Sequence, residues 1–278
     1  MQSTAEADST LPPVLVVNLL RSPERRARMQ RHLDGLGIAH QFVDAVDGRL
    51  LSEEERAANY APRRRRLFFG RDMSPGDIGC ILSARGIYRE MVEKQIPVAI
   101  LLEDDVELAP NFMNVIRALM KSPVPWDIVR FISRKKVTKQ ARLLFPLIGE
   151  HVLARPRGLV GGGYAYILTL RAAERLNKRM QHNWMPPDIL MSHVWTNGLR
   201  SFIVLPSPVI HDDEGESTIG LERFDKTRHL NGVERYIYPI TRLGMKLYVA
   251  ICTRVFMLLT LPRDLYWTRR YARNATDA

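Results

Sequence analysis

At 278 residues, 46% of them hydrophobic, the chain is long enough for one large or two modest domains and apolar enough to build a core, which excludes wholesale disorder. A formal net charge of +11 calls for an anionic partner: a nucleic acid, a phosphorylated small molecule or an acidic membrane surface. Only Cys80 and Cys252 are present, far apart, which excludes a disulfide framework and a zinc site; no zinc-finger spacing, aromatic RNA-binding signature or internal repeat supports a nucleic-acid partner.

The first ten residues are polar, include Glu6 and Asp8, and carry neither a basic region nor an apolar core. No secretory signal is expected, and a reducing, cytoplasmic setting fits. The run Val14-Leu-Val-Val-Asn-Leu-Leu reads as a buried strand closing on Asn18. Ser22-Pro23-Glu24 then supplies an N-cap and a proline at the first helical position, starting a helix that reaches Gly35. Strand, turn and basic helix start form a nucleotide-site pattern in which Arg21, Arg25 and Arg26 face phosphates; a solvated arginine face is an equal reading. Residues 41–48 read as a second strand ending in an Asp-Gly turn, whose Asp44 and Asp47 suit a ribose or base. Such turns are also ordinary. A helix followed by a basic linker is expected over 52–66. Ser74, Pro75 and Asp77 then form a capping box that opens a helix running to Met91.

The stretch that organises the chain is 98–108, an aliphatic run that ends in Glu103-Asp104-Asp105. A continuous apolar run suits a strand covered on both faces, and ligands in such sheets bind at the carboxyl ends of the strands. Adjacent carboxylates repel unless a cation joins them, and hard ions such as Mg²⁺ or Mn²⁺ prefer oxygen. The alternative is a solvated loop that helps cap the helix near Pro110. A helix over 111–121 and a strand over 126–132 follow, and the basic, poorly periodic segment 134–157 reads as a mobile loop. Gly161-Gly162-Gly163 then allows close approach of backbone to a ligand, or a hairpin turn, ahead of another strand.

A helix over 171–180 precedes Pro186-Pro187-Asp188, where Asp188 sits in a helical first turn that favours a carboxylate and equally suits a simple cap. After a strand over 201–205 comes His211-Asp212-Asp213-Glu214, a cluster of metal-capable groups, although a lone histidine is often structural. Alternation of strands and helices predicts an α/β domain over 11–220, with a mostly parallel central sheet flanked by helices. The remainder, 221–278, reads as a basic amphipathic helical tail. Its apolar stretch 248–261 is broken by Arg254 and is too short for a comfortable membrane span. The arginines and aromatics that follow it suit a helix lying on an anionic membrane; the other reading is a terminal helix packed on the domain or on a partner subunit.

Assembled in order, these segments resemble the family 25 glycosyltransferases, the bacterial lipooligosaccharide galactosyltransferases and their collagen-modifying relatives. The resemblance is carried by Val-Asn-Leu-Leu-Arg-Ser-Pro-Glu-Arg-Arg from Val17, Asp-Ala-Val-Asp-Gly at 44–48, Ser-Pro-Gly-Asp-Ile-Gly-Cys-Ile-Leu-Ser at 74–83 and the Leu-Glu-Asp-Asp centre. Gly-Gly-Tyr-Ala-Tyr at 162–166, Pro-Pro-Asp at 186–188 and the Glu-x-x-Ser-Thr-Ile ending at 214–219 complete it. It implies a GT-A-like fold, a UDP-sugar donor, a divalent metal (Mn²⁺ or Mg²⁺) and inversion at the anomeric carbon. Glu103 and Asp105 are then expected to hold the metal, completed by His211 or Asp213. Asp104 reaches the ribose, and Asn18, Arg21, Asp44, Asp47, Gly162 and Gly163 contact the donor. Asp188 occupies the place where such enzymes commonly keep the base.

The implied acceptor is lipopolysaccharide, lipooligosaccharide or another lipid-linked surface glycan, reached from the inner face of the membrane, with galactose the commonest sugar of the family. Where the family usually has Ser-His, this chain has Ser83-Ala84, and His211 stands where relatives often carry another polar residue. The first departure makes a non-catalytic membrane-associated scaffold the alternative.

Overall fold

The first aliphatic run and the one that ends in carboxylates become neighbouring parallel strands. β1 (Val14–Asn18) pairs with β2 (Gln41–Asp44) on one side, setting Asn18 opposite Asp44, and with β3 (Val98–Glu103) on the other, setting Val17 opposite Glu103. The computed structural model describes residues 11–133, 141–181, 183–211, 230 and 232–276. Beyond β4 (Val106–Leu108), the chain adds β5 (Ile128–Arg130), β6 (Arg142–Ile148), β7 (His151–Arg155), β8 (Ala165–Thr169), β9 (Ser201–Leu205) and β10 (Val209–His211). The central sheet runs β2-β1-β3-β8-β5-β9-β7-β6, while β4 and β10 form a separate antiparallel pair.

Helices cover both faces of the sheet, which accounts for the unbroken apolar run in β3. Ile100 and Leu102 face a core shared with Met29 and Leu33 of α1 (Pro23–Gly35) and with Phe112, Val115, Ile116 and Leu119 of α5 (Phe112–Met120). Ala99 and Leu101 face the opposite core, where Ile78, Ile81, Ile87 and Met91 of α4 (Pro75–Glu93) meet Leu176 of α6 (Leu170–Met180). With each buried Leu or Ile contributing about 1.5–3 kcal/mol, this strand is anchored from both faces of the sheet. The capping box holds, since Ser74 Oγ accepts the Asp77 amide at 3.1 Å and Asp77 Oδ2 accepts the Ser74 amide at 3.3 Å. Behind it lies a glycine contact. A Cβ on Gly48 would stand 1.8 Å from the Pro75 carbonyl oxygen, and one on Gly79 would stand 2.5 Å from that of Val46. The 44–48 turn therefore seats directly on the first turns of α4, and the Val46 amide donates to Ser83 Oγ at 2.8 Å. Ala84 packs, partly buried, against the second core.

The α/β class and the flanking helices are as predicted, but the sheet is mixed rather than mostly parallel. Its β1–β2, β1–β3 and β5–β9 pairs are parallel, and its β3–β8, β5–β8, β6–β7 and β7–β9 pairs are antiparallel. The segment expected as a mobile loop contains the β6–β7 hairpin. The expected basic linker after α2 (Glu53–Ala58) is α3 (Pro62–Phe69), with Pro62 at its start and Arg65 buried under the Phe69 ring at 4.1 Å. Ser22 precedes α1 without a side-chain cap bond.

After two short helices, α7 (Pro187–Ser192) and α8 (Val194–Asn197), the C-terminal segment forms one helix, α9 (Val233–Thr276), far longer than its apolar stretch suggested. By length and composition alone, Val233–Tyr271 is long and apolar enough to cross a membrane, which corrects the expectation that it is too short. One face of α9 is fixed to the domain at both ends. Tyr238 Oη donates to the Phe69 carbonyl at 3.4 Å, Arg242 donates to the Phe68 carbonyl at 3.1 Å, and Thr241 donates to the Leu67 carbonyl. Farther along, Asp264 accepts from Arg155 Nε and Nη2, each at 2.8 Å, and from Arg142 Nη1 at 2.6 Å. The opposite face leaves Ile240, Leu243, Leu247, Ile251, Val255 and Leu258 exposed at helical spacing.

Candidate active site

The strand end predicted to deliver acid is a turn, Asp104-Asp105, between β3 and β4. Asn18, buried at the end of β1, donates from Nδ2 to Asp104 Oδ2 at 2.5 Å. Its own Oδ1 is buried without a hydrogen-bond partner, an acceptor to spare inside the cluster. Arg25, in the first turn of α1, spans the two aspartates, reaching Asp104 Oδ1 at 3.3 Å and Asp105 Oδ2 at 3.0 Å. Burial pushes the Asp104 carboxyl above its ordinary range; the Asn18 bond opposes this, the Asp105 charge adds to it and Arg25 opposes it again.

The other proposed donor contacts gather at the same sheet edge. Arg21 Nε meets Asp47 Oδ2 at 2.5 Å, and the Arg49 amide meets Asp47 Oδ1 at 3.0 Å. Burial raises the Asp47 carboxyl, but the Arg49 amide and the Arg21 guanidinium outweigh it and hold the group below the ordinary value. Asp44 pairs with Arg26 at 3.2 Å in a more exposed position.

Strand polarity brings the glycine segment to this edge. Because β8 runs antiparallel to β3, its start lies beside the end of β3, with Ala165 opposite Leu102. The Glu103 amide donates to the Tyr164 carbonyl at 2.7 Å, so the acidic turn and the glycine segment are directly joined. Gly162 has φ +101°, a conformation that L side chains rarely adopt. That geometry aims its amide at Asp188 Oδ2, 2.9 Å away, while Asp188 Oδ1 accepts the Ile189 amide at 2.8 Å. Asp188, in the first turn of α7 (Pro187–Ser192), is 8% exposed and passes so close to Gly163 that a Cβ there would touch its own Cβ at 3.6 Å.

A residue the sequence reading passed over secures this loop. Arg130, wholly buried at the end of β5, donates to the Val160 carbonyl at 2.8 Å, the Asp188 carbonyl at 3.3 Å and Ser192 Oγ at 2.9 Å. Burial lowers its guanidinium to about 10. The available signal was a single arginine inside the apolar run 128–132.

The backbone of His211 pairs with Val106, one residue past the acidic turn. Asp213 lies outside the described residues. Among the described residues no three His, Cys, Asp or Glu side chains converge as a ligand set; Arg25 fills the space between the two aspartates. The oxygens of Glu103, Asp104 and Asp105 are nonetheless hard donors of the kind Mg²⁺ or Mn²⁺ takes, and the donor chemistry fits such an ion.

Comparison with known proteins gives a match, over residues 11–191, to the model of a family described as glycosyltransferase family 25 (LPS biosynthesis protein). A "probable inactive glycosyltransferase 25 family member 3" of Rattus norvegicus is 30% identical over 219 residues, 69% of this chain and 37% of that protein. "Procollagen galactosyltransferase 1" of Danio rerio is 27% identical over 219 residues, 69% of this chain and 35% of its own. The chain thus spans little more than a third of the length of these relatives. Among solved structures, a glycosyltransferase involved in glycosylation of the major capsid of PBCV-1 is similar with a TM-score of 0.31 and 12% identity, over 60% of this chain and 65% of the other.

Proposed function

The chain belongs to glycosyltransferase family 25, and from that premise we propose that it transfers a hexose, galactose first among them, from a UDP-sugar to a lipid-linked glycan of the lipopolysaccharide kind in a metal-dependent, inverting reaction. The observation that carries this reading is the meeting, at one sheet edge, of the Asn18–Asp104–Asp105 cluster and an Asp188 held by the Gly162 amide. Asn18, Arg21, Asp44, Asp47 and Asp104 bind the nucleoside and phosphates, while Gly162 and Gly163 let backbone approach the sugar. Asp188 removes the acceptor proton as the new glycosidic bond forms on the face opposite the departing diphosphate. Glu103 and Asp105, with His211 or Asp213, are the residues that would hold the divalent ion. When bound, such an ion supplies compensation for the charge of the diphosphate.

Chelation with EDTA is expected to abolish transfer in the wild type and added Mn²⁺ to restore it, whereas Asp105→Asn stays below about 1% of wild-type turnover at any Mn²⁺ concentration tested, as for the loss of a main charge-stabilising element. Retention of metal-dependent transfer by Asp105→Asn sinks the metal assignment. The second reading, a non-catalytic scaffold, rests on Ala84 standing where the family usually has histidine. Slow UDP release without acceptor speaks for the enzyme, and silence across UDP-sugars speaks for the scaffold.

The same proposal places the protein on the inner face of a membrane, with α9 flat against anionic lipid. Within Val233–Tyr271 the charged groups are Arg235, Arg242, Lys246, Arg254, Arg263, Arg269 and Arg270 against Glu234 and Asp264, and both acids are engaged by arginines of the domain. A helix tied down at both ends is supported as lying on a bilayer rather than crossing it, apolar stripe inward and basic residues at the headgroups. Full-length protein is expected to float with anionic vesicles at low salt. The variant Leu243→Gln/Leu247→Gln/Ile251→Gln, altered only on the outward face, is expected to remain unbound; equal flotation of the two refutes membrane docking through α9.

A further inference from the structure

Asp188 stands on a helix too short to hold itself. α7 has six residues, it follows Pro186 without a side-chain cap bond, and an isolated helix of that length is marginal in water. The place of the carboxylate therefore depends on what pins α7 to the sheet. Arg130 is that pin, for its backbone is paired on both sides, with Tyr166 of β8 and with Ile203 of β9.

The grip runs through one guanidinium and one hydroxyl. Ser192 Oγ, at the end of α7, accepts from Arg130 Nη2 at 2.9 Å and from the Val160 amide at 3.1 Å. Its own proton has two acceptors in reach, the Val160 carbonyl at 2.8 Å and the Asp188 carbonyl at 3.0 Å. The same two carbonyls accept from Arg130 Nη1, at 2.8 Å and 3.3 Å. Arg130 and Ser192 thus hold the base's own residue together with Val160, two residues before the Gly162 whose amide holds the base's carboxylate. Base and holder hang from one point of β5. At 0% and 4% exposure, neither Arg130 nor Ser192 is open to a bound sugar, so any effect on chemistry passes through Asp188.

We propose that Arg130 and Ser192 are positioning residues for sugar transfer, setting the Asp188 carboxylate against the acceptor hydroxyl by fixing α7 and the segment 160–162 to each other and to β5. This rests on the reading of Asp188 as the base. A misplacement of about 1 Å costs on the order of 10²-fold in rate. The proposed donor contacts Asn18, Arg21, Asp44, Asp47 and Asp104 lie on other elements, so loosening the pin is read in turnover and not in donor binding.

Two variants of the full-length protein test the role. Ser192→Ala removes the hydroxyl with little change of volume, and Arg130→Lys keeps the charge but loses the planar fork that serves several acceptors at once. Each is expected to lower kcat by roughly 10- to 100-fold while the UDP-sugar Kd, measured by calorimetry, stays within about twofold of wild type. In an Asp188→Asn background the same substitutions are expected to lower the residual rate by less than about twofold, because groups that act as a unit are not additive. A cooperative melt shows that each variant is folded, and if Arg130→Lys is not, Ser192→Ala decides alone. The positioning role is overturned, with the base assignment intact, if Asp188→Asn is slow while Ser192→Ala turns over like wild type, if the two losses multiply in the double variant, or if donor affinity falls in step with rate. Near-normal transfer by Asp188→Asn itself removes the base reading and the proposal with it.

Discussion

Asp188→Asn is expected to lower the rate of sugar transfer by roughly 10²- to 10⁴-fold while leaving donor affinity within about twofold of wild type, the range typical of a lost general base. The substitution keeps the shape of the side chain and removes its ability to take a proton. The carboxylate is fixed by two amides, those of Gly162 and Ile189, so its position owes little to solvent or to mobile side chains. An asparagine can keep one of these bonds through its oxygen but must turn its amino group toward the other donor, so a modest loss of stability is expected as well. Donor affinity measured by calorimetry and Tm measured by calorimetric scan separate that structural cost from the catalytic one. Near-normal transfer with unchanged donor binding would assign the base to another group.

What the sequence revealed of this site, and what it hid, follows from the range of the interactions. The capping box at Ser74 and Asp77 and the aliphatic strands β1, β3 and β9 are set by neighbours in the chain, and their boundaries were legible. The direction of β8 was not. Its residues Ala165–Thr169 are buried on both faces, and such a run reads the same in a parallel or an antiparallel strand. Yet that direction brings Gly162 to Asp188 and Tyr164 to Glu103. The β6–β7 hairpin was hidden by its own irregularity. Register shifts between Leu143/Phe145 and Pro146/Ile148 break the alternation by which a half-buried strand is recognised. Helix α3 was masked by its arginines, which read as a solvated linker, although arginine is a good helix former and Pro62 an apt first residue. For the acidic turn, repulsion among carboxylates argued for a divalent metal ion. In the structure the Arg25 guanidinium lies against Asp104 and Asp105, and no local pattern links Arg25 to residues 79 and 80 positions away.

The largest stability effect is expected at Asp264, far from the proposed chemistry. Asp264 is fully buried and receives three charge-assisted bonds from two arginines, of which Arg155 is itself 1% exposed. Removing one partner of a buried pair leaves the other charge without compensation, which costs about 3–5 kcal/mol. For a chain of this size that corresponds to a fall in Tm of roughly 10 °C. Asp264→Asn is therefore expected to loosen the C-terminal half of α9 first, seen as proteolytic cleavage within the helix before the domain melts. The exposed Arg89–Glu93 pair, 3.9 Å apart on α4, is the control, and Glu93→Gln should leave the melting curve almost unchanged because solvent screens that pair. The double variant Arg155→Met/Asp264→Leu removes both buried charges together and is expected to recover much of the loss, since an apolar replacement escapes the desolvation cost. Should Asp264→Asn melt like the wild type, the ion cluster is not what fastens α9 to the sheet. The helix would then be held by Tyr238, Thr241 and Arg242 on α3 and by the half-buried Trp267 packed against the core, and substitution of those residues would release it instead.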